Sequence, residues 1–121
     1  MINATCHCES IQINLPNDTK TITSCNCSIC AKYATLWAYY SPDDVDILVK
    51  SDAINSYSWG DKGIDFHHCK YCGCITHYTS TDKAKHKRVA VNFRLVDPHI
   101  VKNLAVRYFD GADTFKEIPP K

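Results

Sequence analysis

Polar and apolar residues alternate through Ser10-Ile11-Gln12-Ile13-Asn14-Leu15. Successive side chains of an extended chain point to opposite faces, so this segment predicts a half-buried strand. Pro16-Asn17-Asp18 supplies turn residues, and Lys20-Thr21-Ile22-Thr23-Ser24 resumes an extended pattern, so the two segments together predict a β-hairpin. Ser28–Tyr33 fits a short helical turn, and the β-branched and aromatic bias of Thr35-Leu36-Trp37-Ala38-Tyr39-Tyr40 predicts another strand. Ser41 precedes Pro42 as a cap would precede the first helical residue, giving one turn before a strand over 45–49. Further strands are expected over 56–59, 64–67, 75–78, 89–93 and 104–109, with turns at Gly60-Asp61-Lys62-Gly63 and Asp110-Gly111. No helical period is sustained over a dozen residues. The expectation is a mainly β protein of antiparallel sheets with few short helical turns.

With 121 residues the chain has the size of one domain, read as 1–117 with 118–121 as a C-terminal tail. Its 45% hydrophobic and 22% charged residues with a net charge of +1 are those of an ordinary globular protein, not of a disordered segment. The one basic run, Lys83-Ala84-Lys85-His86-Lys87-Arg88, reads as a solvated loop, because nucleic-acid modules carry a larger positive excess to displace counterions. Charges interrupt every apolar stretch, and Met1-Ile2-Asn3-Ala4-Thr5 lacks the basic start of an export signal. A cytoplasmic protein without a membrane span or a nucleic-acid partner is expected.

Eight cysteines change this ordinary picture. In a reducing compartment clustered thiols read as metal ligands rather than disulfides. They fall into Cys6-His7-Cys8, Cys25-Asn26-Cys27-Ser28-Ile29-Cys30 and Cys69-Lys70-Tyr71-Cys72-Gly73-Cys74. On a strand, Cys6 and Cys8 would share a face while His7 points away. Cys69 and Cys72 have the spacing of a zinc knuckle, with Gly73 free to take the positive φ that curls the turn. A C-x-C and a C-x-x-C together make one closed four-thiolate site, whereas Cys25, Cys27 and Cys30 are three ligands that leave a position open, the pattern of catalytic zinc. Spacing favours this partition but also permits Cys27 and Cys30 to pair with Cys69 and Cys72 as a zinc ribbon, leaving Cys6, Cys8, Cys25 and Cys74 for a second site. In the first partition Cys74 is a small buried residue beside the knuckle. His67, His68 and His77 read as packing or surface groups, and Trp37, Tyr39, Tyr40, Trp59 and Phe66 as core aromatics that could also line a cleft.

The ordered constellation of C-x-C, C-x-C-S-x-C and C-x-x-C-G, followed by Val91-Asn92-Phe93-Arg94-Leu95-Val96-Asp97 and Tyr108-Phe109-Asp110-Gly111, resembles the glutathione-dependent formaldehyde-activating enzyme family over essentially the whole chain. The resemblance implies a β-tent fold with two zinc ions. Cys6, Cys8, Cys69 and Cys72 would hold the structural one, and Cys25, Cys27 and Cys30 the catalytic one. It further implies a carbon–sulfur lyase that joins a small thiol such as glutathione to an aldehyde, formaldehyde in the name-giving reaction. The family's usual glycines flanking the first pair are replaced here by Thr5 and Glu9. Zinc deprotonates a bound thiol outright, and three anionic sulfurs weaken its Lewis acidity, so thiol activation is the favoured chemistry. Lys32 could meet a carboxylate of an anionic thiol, or simply be solvated. The competing classes are a non-catalytic zinc-stabilised binding domain and, behind it, a zinc-ribbon nucleic-acid module.

Overall fold

The computed structural model describes residues 2–16 and 19–119. The strands in chain order are β1 (Ile2–Thr5), β2 (Ile11–Leu15), β3 (Thr21–Cys25), β4 (Trp37–Tyr40), β5 (Asp46–Val49) and β6 (Ile54–Tyr57). They continue with β7 (Ile64–Cys69), β8 (Ile75–Ser80), β9 (Val89–Asn92), β10 (Ala105–Phe109) and β11 (Glu117–Ile118). Two short helices, α1 (Ser28–Tyr33) and α2 (Pro98–Val101), and 3-10 turns at Pro42–Asp44 and Phe93–Leu95 complete the described residues. The architecture is mainly β, as expected. Among the described residues no helix is long and apolar enough to cross a membrane.

A small sheet runs β1-β2-β5 and a large one β11-β10-β3-β4-β9-β8-β7-β6. Neighbours are antiparallel except β10 and β3, which run parallel with Phe109 opposite Cys25. The alternation read from 10–15 determines what joins the sheets: Ile11, Ile13 and Leu15 are all buried, in one cluster with Ile22, Ala38, Val89 and Val91 of the large sheet. Burying each of those β2 side chains is worth roughly 1.5–3 kcal/mol. The other face of β4 and β9 has its own cluster, in which Trp37 and Ala90 pack with Phe66, Tyr78 and Cys30. Strand parity thus divides Trp37 from Ala38 and gives the large sheet two apolar faces.

The expected hairpin of 10–15 with 20–24 does not form. β2 pairs with β1 on one edge and β5 on the other, while β3 lies between β10 and β4. A strand has two edges, and β1, too short and weakly apolar to stand out in sequence, takes the one that β3 would have used. Of the turn residues expected there, Asn17 and Asp18 lie outside the described residues, as do Pro120 and Lys121 of the 118–121 segment. The strand expected at 56–59 is shifted to Ile54–Tyr57, because Ser58 Oγ instead donates to Ile64 O at 2.9 Å across the start of the 60–63 turn.

Candidate metal centre

Cys6 and Cys8 lie in the turn between β1 and β2, not on a strand as the sequence suggested. Cys6 N–H donates to Ile11 O at 3.1 Å and Glu9 N–H to Cys6 O at 3.0 Å, closing a loop that turns through a left-handed Glu9 at φ 65°. The curl brings Cys6 Sγ and Cys8 Sγ to 3.7 Å, with Ile11 N–H donating to Cys6 Sγ at 3.3 Å. Cys69 ends β7 and Cys72 follows in a tight turn, where Gly73 takes φ 81° and donates its N–H to Cys69 O at 2.8 Å. Cys8 Sγ and Cys69 Sγ are 3.6 Å apart, and the sulfurs of Cys6, Cys8, Cys69 and Cys72 all lie within 4.8 Å of one another. A tetrahedron with Zn–S bonds of about 2.3 Å has an edge of about 3.8 Å, so the donors fit a zinc ion in number, type and spacing.

Burial pushes the Cys6 thiol up to about 12. Burial opposes ionisation at Cys72 as well, but the backbone amides of Cys74 and Cys8 and the neighbouring thiols outweigh it and bring that group down to about 5. Thiols packed this closely cannot all ionise unless a cation compensates them.

The second group is assembled around α1. Cys25 ends β3, Cys27 is the N-cap of α1, and Cys30 sits in its first turn, with Cys30 N–H donating to Cys27 Sγ at 3.4 Å. The helix lasts six residues because Ala34 takes a left-handed φ of 56° and returns its N–H to Cys30 O. The sulfurs of Cys25, Cys27 and Cys30 also lie within 4.8 Å of one another. Cys27 and Cys30 do not join Cys69 and Cys72, so the zinc-ribbon partition has no counterpart in this geometry. Burial raises the thiols of Cys30 and Cys25, while at Cys27 the amide of Cys30 and the neighbouring thiols prevail over burial and lower it.

Three supports for this trio are not evident from cysteine spacing. The indole N–H of buried Trp37 donates to Cys30 Sγ at 3.4 Å. Asn26, between two of the ligand candidates, donates to Asp110 Oδ1 at 3.0 Å and accepts from Ala112 N–H at 3.0 Å, clipping the trio to the turn after β10. That turn brings in Gly111, where a Cβ would stand 2.5 Å from Cys25 Sγ and 3.2 Å from Cys27 Cβ. The parallel pairing of β10 with β3 makes this approach possible, and no local signal in sequence announces it.

The two groups differ in setting. Cys6 and Cys69 are buried in the core between the sheets, Cys72 is half-buried and Cys8 is exposed. Cys25, Cys27 and Cys30 instead line a cleft of about 630 Å³. Trp37, Tyr39, Trp59 and Phe66 line it with them, while Tyr40 turns to the opposite face and bonds Thr19 Oγ1 at 2.7 Å. Arg88, from the run read as a solvated loop, also lines the cleft, whereas Lys32 is exposed and does not. Cys74 is half-buried and packs against the core beside the knuckle. His77 is buried with its ring 4.5 Å from that of His67, and burial lowers its pKa to about 3.

The family model described as glutathione-dependent formaldehyde-activating enzyme matches residues 1–109. A Rhodobacter sphaeroides protein of known structure superposes with a TM-score of 0.69 at 22% sequence identity, covering 86% of this chain and 98% of that one. At that identity the likeness is one of fold. No curated protein matches the chain.

Proposed function

Because the chain belongs to the glutathione-dependent formaldehyde-activating enzyme family, we propose that it is a zinc-dependent carbon–sulfur lyase that makes or cleaves an S-hydroxymethyl thiol adduct beside Cys25, Cys27 and Cys30. In this reading Cys6, Cys8, Cys69 and Cys72 hold a structural zinc and the trio holds the catalytic one. The observation that carries it is the place of the trio: three donors, one short of a tetrahedral set, stand together on the wall of a cleft, whereas the other group already brings four donors together.

In the forward direction the thiol sulfur bonds to the carbonyl carbon, the C=O π pair moves to oxygen, and the proton released by the thiol ends on that oxygen. What zinc supplies when bound is stabilisation of the substrate as a thiolate near neutral pH. The protein's own residues supply the rest. Trp37 holds Cys30 in place through its N–H···S contact, and the absence of a side chain at Gly111 leaves Cys25 its position. Tyr78 packs edge-on against both Trp37 and Phe66, giving the cleft an apolar wall that limits competing water. Among the described residues no carboxylate or imidazole joins the trio, so proton exchange with solvent is the route that fits.

Exchange NMR of the zinc-loaded protein with formaldehyde and a panel of thiols tests the reading. Adduct formation should exceed the spontaneous rate for at least one thiol and should lose that excess in Cys27→Ser. No acceleration with any thiol would favour a non-catalytic zinc-stabilised binding domain.

A further inference from the structure

Among the described residues Arg88 is the one cation that lines the cleft. Its backbone is fixed at the end of the β8–β9 pair, where Arg88 N–H donates to Ser80 Oγ at 3.0 Å and Arg88 O accepts Ser80 N–H at 3.2 Å. From that anchor the guanidinium lies over the Tyr39 ring, 4.3 Å from its centroid, and 5.6 Å from the centroid of Tyr78. Stacking on an aromatic face holds the guanidinium plane and a hydrogen bond to Tyr78 fixes it further; with five N–H donors the group still has an edge that matches a carboxylate in a bidentate fork. No protein carboxylate occupies it: the one ion pair among the described residues joins Arg107 to Glu117. The other charged residue on the cleft, Asp61, already accepts Gly63 N–H at 3.0 Å within its own turn. An oriented, unpaired cation therefore shares a largely apolar cleft with the thiol trio.

We infer that Arg88 is the specificity residue of the thiol site: it binds a carboxylate of the substrate, so the protein selects small anionic thiols over neutral or cationic ones. The inference rests on the lyase reading for the identity of the ligand as a thiol, but not for the binding of its carboxylate. Lys32, the cation suggested by sequence proximity to Cys30, lies outside the cleft and has no such part.

The probe that separates the two is S-methylglutathione, which keeps both carboxylates and has no free thiol. Titrated into the zinc-loaded protein with tryptophan fluorescence as readout, for which Trp59 on the cleft is suited, it should bind at least about tenfold more tightly than its dimethyl ester, as expected of a charge-assisted contact. Arg88→Met should lose that margin at unchanged zinc content and Tm, Arg88→Lys should recover part of it, and Arg107→Met should keep it. In turnover, Arg88→Met should raise KM for glutathione by a larger factor than it raises KM for 2-mercaptoethanol. Equal binding of acid and ester by the wild type, no binding of either, or an Arg88→Met protein that still prefers the acid would overturn the inference. If exchange is not accelerated yet the acid preference persists and depends on Arg88, the lyase reading fails and the anion site stands. If exchange is accelerated and Arg88→Met leaves KM for glutathione unchanged, the reverse holds.

Discussion

Replacing Gly111 by alanine is a one-carbon perturbation aimed at the cysteine trio alone. The added Cβ would stand 2.5 Å from Cys25 Sγ and 3.2 Å from Cys27 Cβ. Comfortable non-bonded contact begins near 3.5–4.0 Å, so either the Cys25 sulfur retreats by about 1 Å or the turn after β10 swings away. Each response is costly to a metal. A shift of that size is several times the roughly 0.2 Å tolerance of a metal–ligand distance. Swinging the turn instead breaks the two 3.0 Å bonds through which Asn26 is held to Asp110 and Ala112. Outer-shell losses typically cost 10–100-fold in metal affinity, so about 100-fold, or about 3 kcal/mol, is expected for the trio. Gly111 does not have a positive φ, so alanine brings no backbone strain of its own, and the four-cysteine group should keep its zinc. Zinc content by elemental analysis and release rates to a chromogenic chelator, measured beside circular dichroism, give the answer. A Gly111→Ala protein that keeps two zinc ions with wild-type release kinetics would refute the reasoning, as would loss of fold with loss of both.

Other outcomes follow from the same geometry. Cys27→Ser should lower zinc content by one ion and preserve the circular dichroism spectrum, whereas Cys72→Ser should unfold or aggregate the protein; equal destabilisation by both would point to two structural sites. Glu9 spends a side chain at φ 65°, so Glu9→Gly should raise stability by about 1 kcal/mol in chemical denaturation, and a decrease would contradict the strain argument. Buried His77 has a pKa lowered from 6.5 to about 3, so as pH falls the unfolded chain takes up its proton first. The stability from its neutral ring is present above pH 6.5 and is lost towards pH 3, by up to about 1.4 kcal/mol per pH unit. Denaturation of zinc-loaded wild type and His77→Phe across that window should show a shallower slope for the variant, and parallel slopes would rule the histidine out.

Much of the fold was legible because period-two alternation and turn residues are local properties. The helical turn at Ser28–Tyr33, the turn at Pro42–Asp44 and most strands lie within a residue or two of their expected places, although Ser41 caps its turn by position only and makes no side-chain cap bond. What could not be read was which strands pair. β2 had the strongest pattern in the chain, yet its neighbours are β1, whose pattern is faint, and β5, which arrives more than thirty positions later. The C-x-C pair shows the same limit on a smaller scale: parity arguments assume an extended chain, and a left-handed Glu9 together with two backbone bonds makes that segment a turn that still brings the sulfurs together.

By itself the sequence determined the donor inventory. Eight thiols in three clusters, with the spacings that metals favour, are a matter of covalent order, and so is the β-rich alternation that must bury one face. Only the tertiary structure decided which clusters meet and which group lines a cleft. It also decided that Trp37, Gly111 and Arg88 attend the trio and that Asn26, inside it, is tied to distant Asp110. The physical reason is that such contacts come from sheet order, above all the parallel seating of β10 on β3. That order is settled by the competition of all strand edges for partners and of all apolar faces for burial, and no single segment carries a record of it.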